Sequence, residues 1–397
     1  MIAPRLCLLT AGLLLGSAAC AENITPNLKM NGFATAGIAR LDDDSGGYRY
    51  MQNSYGRAGI SEKLNTTFDS VIGLQFDYQV NDDTNLVTQL VGRGQNDSSG
   101  NGASSQNTFA VNADWAYIRY RINDSWYARA GRMGFPGFMV SDSMLIGHAH
   151  PWVRPPAEVY ANTPVASIQA FDINNRQDLG SWALSTQLAV GTAQTNDGRL
   201  NLDDVTSLYF TLENDNLTLR AGGMNFKLSN NVSLAPLPNL DDRKYSHFVS
   251  AGFTYDNNVW LLNGEFVQQA VQGWPVDFNA GYFTVGHYFG RWLPYTYWAK
   301  IDTLGDKNKT QLGVINTRPS SIMEQSTVAL GLRFDPKPGL SLKAQVDHIY
   351  DIGKYDGIFR YPSAGAPYPG VAAILVNQSL PQIKDANLYS FTVNVAF

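Results

Sequence analysis

Tyr389-Ser390-Phe391-Thr392-Val393-Asn394-Val395-Ala396-Phe397, the end of the sequence, alternates apolar and small or polar residues without a break. A period of two puts the rings and valines on one face of an extended strand and Ser390, Thr392 and Asn394 on the other. The same alternation recurs upstream. Ile72, Leu74, Phe76, Tyr78 and Val80 oppose Gln75, Asp77 and Gln79; Leu208, Phe210 and Leu212 oppose Tyr209, Thr211 and Glu213; Val328, Leu330, Leu332 and Phe334 oppose Thr327, Gly331 and Arg333. Strands of soluble sandwiches are usually ~5–6 residues long. These run to about ten, the length a tilted strand needs to cross a bilayer.

Connections alternate short and long. Short ones fall at Asn81-Asp82-Asp83, Asn123-Asp124, Asn175 to Gly180, Asn214-Asp215-Asn216, Asn257-Asn258, Arg291 to Pro294 and Pro336 to Gly339, rich in tight-turn residues. Longer polar stretches lie near 42–68, 96–108, 136–163, 195–203, 230–244, 272–276, 306–324 and 354–384. Strands are expected near 31–41, 69–80, 84–95, 109–122, 125–135, 164–174, 181–194, 204–213, 217–229, 245–256, 259–271, 277–290, 295–305, 325–335, 340–353 and 385–397. That is about 16, an even number with both ends on the short-turn side, as an all-β transmembrane antiparallel β-barrel with short periplasmic turns and long external loops requires. Tyr78, Trp126, Trp182, Tyr255, Trp260, Tyr288, Phe289, Trp292, Tyr295, Phe334 and Phe397 cluster near the turns or the terminus, where an interfacial aromatic girdle belongs.

Composition narrows the class. Of 397 residues only 16% are charged and 12% are aromatic, with net charge −5 and no basic stripe, which argues against a disordered chain or nucleic-acid binding. The two cysteines, Cys7 and Cys20, both fall within residues 1–21. That segment carries Arg5, an apolar run from Leu6 to Ala19 and an Ala19-Cys20-Ala21 cleavage pattern, so it reads as a secretory signal peptide, with 22–397 as a single barrel domain. The run is shorter than the ~20 residues a spanning helix needs. Lipidation of Cys20 is the alternative, but Ser17-Ala18-Ala19 lacks the expected leucine. Removal of 1–21 leaves no cysteine for a disulfide, a zinc site or an iron–sulfur cluster.

With this leader, this alternation and the terminal Tyr389-x-Phe391-x-Val393-x-Val395-x-Phe397 strand, the sequence resembles the Gram-negative outer-membrane porins. The resemblance implies sixteen strands, a homotrimer in outer-membrane lipid and lipopolysaccharide, and recognition of the Phe397 strand by the barrel-assembly machinery. It also implies a third external loop, here about 136–163, folded into the pore as a constriction.

A sixteen-stranded barrel encloses an aqueous channel whose lining charges tune selectivity. Charges on the lipid face cost ~2–4 kcal/mol at midplane, so Tyr117, Arg119 and Arg121 are expected inside, opposite Ile118, Tyr120 and Ile122. Tyr127 and Arg129 follow on the next strand, near Arg93 and Arg132, and by the same alternation Arg220, Arg333 and Lys343 also face the lumen. Facing this basic wall, the loop offers Asp142 and Glu158 as acids, together with Arg154 and the rings Phe138, Trp152 and Tyr160, stiffened by Pro151, Pro155 and Pro156. Acid opposite base makes a transverse field that favours dipolar solutes.

The expected function is passive diffusion of small hydrophilic solutes and ions, with no cofactor. A sugar- or anion-specific channel is the alternative, with Tyr355, Phe359, Tyr361 and Tyr368 as a stacking path. His148 and His150 supply two metal ligands where zinc sites use three or four, so no metal site is expected. A barrel lipase or protease is the rival from another class, but His247, His287 and His348 show no triad-like spacing.

Overall fold

The computed structural model describes residues 22–43, 47–48, 60–96, 107–161, 165–194, 200–230, 244–271, 277–304, 324–352, 359–360 and 385–397. The leader 1–21 and most of 354–384, including Tyr355, Tyr361 and Tyr368, lie outside them.

Sixteen long strands form the barrel: β1 (Leu28–Leu41), β2 (Val71–Gln79), β3 (Thr84–Asn96), β4 (Asn107–Arg121), β5 (Trp126–Gly134), β6 (Ser167–Leu179), β7 (Trp182–Gln194), β8 (Leu200–Glu213), β9 (Leu217–Asn230), β10 (Lys244–Asp256), β11 (Trp260–Val271), β12 (Phe278–His287), β13 (Trp292–Thr303), β14 (Glu324–Lys337), β15 (Leu340–Tyr350) and β16 (Ala386–Ala396). Each pairs antiparallel with the next, and β16 pairs back onto β1, Leu388 opposite Leu41 and Ala396 opposite Phe33, so the sheet closes and has no free edge. A further short strand, Glu22–Thr25, forms a hairpin with the start of β1.

The alternation resolves into two faces. Leu208, Phe210, Leu330, Leu332, Val346 and Phe391 point outward and are exposed, forming an apolar belt far larger than soluble proteins leave bare and suited to lipid. Trp126, Trp260, Phe289 and Trp292 extend it at the short-turn end, with Trp292 stacked on Phe334 at 4.2 Å. Tyr295 departs from the expected girdle. It points inward, 4% exposed, and donates its hydroxyl to Gln345 at 2.8 Å.

The turns repeat one device. Asn123 Oδ1 accepts from the backbone N–H of Ser125 and Trp126, Asn214 Oδ1 from Asn216 and Leu217, and Asn257 Oδ1 from Val259 and Trp260, at 2.7–3.0 Å. An asparagine thus satisfies the turn amides that the ladder leaves open. Strand bounds follow expectation within a few residues, with informative exceptions. β6 runs to Leu179 and turns at Gly180, φ 71°, although the polar run from Asn175 reads as the turn itself. These residues are polar because the hairpin projects beyond the apolar belt, where Arg176 pairs with Glu213 at 2.5 Å. β8 starts at Leu200 and β13 at Trp292, each several residues earlier than expected.

Candidate functional site

The third long connection, between β5 and β6, enters the barrel and crosses its interior. Arg220 on β9 stacks over the Tyr209 ring at 4.5 Å and donates to Pro136 O at 2.9 Å, gripping the loop where it turns in. Ser250 Oγ donates to Gly137 O at 2.8 Å, and Met139 N–H donates to Glu265 at 2.8 Å. Phe138 packs edge-on against Phe248 with centroids 5.3 Å apart. The loop then reaches the seam of the barrel, where Gly147 lies so close to β1 and β16 that a Cβ there would stand 2.2 Å from Asn394 Oδ1 and 2.6 Å from Thr35 Oγ1. A side chain at 147 would have to displace the hydrogen-bonded Thr35–Asn394 pair.

The return path is anchored to β11–β16. Lys343, 1% exposed, donates to the carbonyls of Gly147 and Trp152, the second at 2.7 Å. Arg333 donates to His150 O at 3.0 Å, and Trp152 Nε1–H to Thr284 Oγ1 at 3.0 Å. Arg154 forks onto Asp69 of the first long connection at 2.7 and 2.9 Å, lies 3.4 Å from Asp347 and donates to Ser390 at 2.7 Å. A single helical turn, α1 (Ala157–Tyr160), carries Glu158 against β14, where it accepts from Gln325 at 2.6 Å and from Thr327; Tyr160 donates to Glu265.

Burial sets the ionisation of these loop groups. It pushes His150 down to about 4, against the pull of the bond its Nε2–H makes to Ser143 O at 2.7 Å. It pushes the Glu158 carboxyl up, opposed by the Thr327 and Gln325 bonds. For Arg154 burial disfavours the charge, but Asp69 and Asp347 outweigh it and hold the guanidinium above the ordinary arginine range.

The loop's hydrogen bonds to the wall run along β8–β16, with Gly147 also seated against β1, and the charged groups of β4 and β5 lie apart from these anchors. Arg119 and Asp142 face the interior and yet are exposed, so water reaches this side. Arg119 and Arg129 are cross-strand partners. Arg119 stacks on Tyr127 at 4.1 Å; Arg129 lies over Tyr117 at 5.3 Å and pairs with Asp172 at 2.5 Å. Asp172 is further fixed by Asn174 and Gln187, each at 2.9 Å. Asp142 extends from the loop tip toward them, its charge acting on Tyr117, Arg129 and Arg220.

The expected lining therefore divides. Tyr117, Arg119, Arg129 and Asp142 come together around the open side. Arg154, Arg220, Arg333 and Lys343 face inward but anchor the loop, and Glu158 is buried against β14 and is no acidic counter-element. Arg121 sits at the short-turn mouth, paired with Asp83 at 2.8 Å with both side chains about half exposed. Arg132 has exposed Ala116 and Gln169 as cross-strand partners, but its Nε is buried and its charge acts on the buried Asp114. Phe138, Trp152 and Tyr160 are packing rings. Arg93 lies inside, 3.6 Å from Asp114, a residue the alternation does not flag. The ladder slips there: Gln89 pairs with Trp115 and Leu90 with Ala113, so Asp114 is a bulge. Among the described residues no group of three or more possible metal ligands occurs.

No protein-family model matches the sequence, and no curated protein matches it. Solved structures do resemble it. The Salmonella typhi OmpF complex with daunomycin superposes with TM-score 0.56 at 14% identity over 94% of this chain and 98% of that one. The outer-membrane channel DcaP of Acinetobacter baumannii gives 0.55 at 11% over 96% and 100%, and an anion-selective porin from Comamonas acidovorans gives 0.54 at 12% over 93% and 99%. At these identities the likeness is one of fold. The chain has a general-porin-like fold, a closed sixteen-stranded antiparallel barrel with one extra short strand.

Proposed function

We propose that the protein is an outer-membrane porin through which small hydrophilic solutes and ions diffuse passively. The observation that carries this reading is a set of charges facing the interior of the barrel, Arg119 on β4, exposed, Arg129 on β5, and the exposed Asp142 on the loop tip, whose charge acts on Arg129. A base-lined wall facing an acid in a narrow polar cleft focuses the field and orients dipolar solutes. The apolar belt and the aromatic residues at the turn end support residence in the outer membrane, with residues 1–21 as the export leader and the Phe397 strand as the segment read during barrel assembly. A homotrimer fits this reading; a Vibrio cholerae outer-membrane protein of similar fold, 10% identical with TM-score 0.51 over 93% of this chain and 99% of that one, was solved in a trimer form.

A channel is favoured over an enzyme because the strand histidines have bland partners. His247 bonds Asn225 at 2.5 Å, His348 bonds Asn387 at 2.9 Å, and His287 lies between Trp260 and Phe289. The test is reconstitution in planar bilayers under a salt gradient. Stepwise, ohmic conductance is expected, and replacing Arg119 and Arg129 together by Ala shifts the reversal potential toward cation preference. An unchanged reversal potential would remove the arginine wall from the account.

A further inference from the structure

Arg119 and Arg129 are cross-strand partners on β4 and β5, and each lies over a tyrosine ring, Arg119 over Tyr127 at 4.1 Å and Arg129 over Tyr117 at 5.3 Å. Alternation gives them the same standing, two cations on one basic wall. Their partners differ. Arg129, its side chain 15% exposed, forks onto Asp172 of β6, with Nε 3.1 Å from each carboxylate oxygen and Nη2 2.5 Å from one of them. Arg119 is exposed and, among the described residues, makes no hydrogen bond or ion pair.

Asp172 makes the difference. It is 0% exposed, and it accepts hydrogen bonds from Arg129, from Asn174 at 2.9 Å and from Gln187 of β7 at 2.9 Å. A buried carboxylate is costly unless its charge is paired and its oxygens are satisfied, and both conditions are met here. At distances larger than the separation of the two groups, such a pair acts as a small dipole and no longer as a charge. We propose that Asp172 determines the ion preference of the passage: it cancels Arg129, so the β4–β5 wall presents one net positive charge, on Arg119, and not two. The proposal rests on the reading of the protein as a channel. Two acids weigh against that single cation. Asp77 on β2, which accepts from Asn31 and Gln75, and Asp142 on the loop tip both act on Tyr117 of the same wall. The balance is close, so uncovering either member of the Arg129–Asp172 pair tips it, and in opposite directions.

Two measurements on the whole folded protein test it, and one of them does not depend on conduction. In planar bilayers under a potassium chloride gradient, Arg119→Gln is expected to shift the anion-to-cation permeability ratio about three-fold toward cations, the effect of one unit charge within a Debye length. Arg129→Gln uncovers Asp172 and shifts the ratio the same way, Asp172→Asn uncovers Arg129 and shifts it toward anions, and Arg129→Gln/Asp172→Asn brings it back to the parental value. A merely structural role for Asp172 would weaken the fold without reversing the sign of the shift. A double variant as cation-shifted as Arg129→Gln, or no anion shift in a folded Asp172→Asn, overturns the proposal. Where Asp172→Asn does not fold, Arg119→Gln, Arg129→Gln and the double variant carry the same decision. The second measurement treats detergent-solubilised protein with phenylglyoxal, which condenses with accessible guanidinium groups, and locates the adducts by peptide mass spectrometry. Arg119 is expected to react about ten-fold or more faster than Arg129, whose N–H groups the carboxylate occupies, and Asp172→Asn to bring the Arg129 rate toward that of Arg119. Equal rates in the unaltered protein overturn the proposal. Absence of ohmic conductance with unequal phenylglyoxal rates defeats the channel reading and leaves the pairing of Arg129 with Asp172 intact.

Discussion

Replacing Arg154 by Met should release the loop from the first long connection while leaving the barrel closed. The guanidinium is buried, 4% exposed, and holds Asp69 through two hydrogen bonds of 2.7 and 2.9 Å. Methionine retains much of the apolar volume but no charge. Two unit charges about 4 Å apart attract by about 4 kcal/mol at an effective dielectric of 20. Removing one partner of a buried pair typically costs about 3–5 kcal/mol because the other is stranded. Here Asp347 keeps bonds from Tyr297 and Gln345, both 2.6 Å, so the stranded charge is chiefly Asp69 and the lower end applies, about 3 kcal/mol. The barrel ladder is not involved, so the cost appears as local opening. Amide hydrogen exchange across 147–161 should accelerate about 100-fold, with strand amides unchanged. In the Arg154→Met/Asp69→Asn pair much of the protection should return, since no carboxylate is then left without its counter-charge. Exchange within about three-fold of the parent in Arg154→Met would refute the assignment of this residue as the loop's anchor.

Acidification should loosen the same loop. His150 is buried and neutral with its folded value near 4, against ~6.5 when exposed, so its contribution is fully present above pH ~6.5, declines below that and is gone below pH ~4, to a total of about 3 kcal/mol. Glu158 opposes this trend, because its raised carboxyl takes up a proton earlier in the folded state and favours it as pH falls. His150→Phe keeps the ring beside Trp152 and should flatten the dependence of loop exchange between pH 4 and 6.5; an unaltered profile would count against His150 as its source. Gly147→Val places methyl groups where Asn394 and Thr35 stand, so the loop should leave the β1–β16 seam and single-channel conductance should rise; a conductance equal to the parent's would contradict that seating.

The barrel was legible in the sequence because its physics is local. Alternation names two faces, lipid forbids charge on one of them, and asparagine turns punctuate the strands, so most bounds follow directly. The division of labour among inward cations was not legible. Alternation places Arg119, Arg220, Arg333 and Lys343 on the same side of the wall, and nothing local distinguishes a water-facing arginine from one that meets a loop carbonyl over a hundred residues away. Lys343 bonding Gly147 and Trp152 is of the second kind. Glu158 illustrates the same limit, since its partners Gln325 and Thr327 come from β14. Asp114 escaped for another reason: one inserted residue changes the phase of a period-two pattern, and the sequence on either side reads normally. Tyr295 shows that closeness to a turn in sequence does not specify the face.

If the loop tip borders the conducting path, a charge placed on it must alter the current. Residues 22–397 contain no cysteine, so Asp142→Cys in the chain without its leader carries a single thiol. Single-channel current through this variant is recorded before and after a cationic methanethiosulfonate reagent is added. A discrete drop in unitary conductance and a shift toward anion selectivity are expected. A channel whose current and selectivity are unchanged after confirmed modification would contradict this placement of the loop tip.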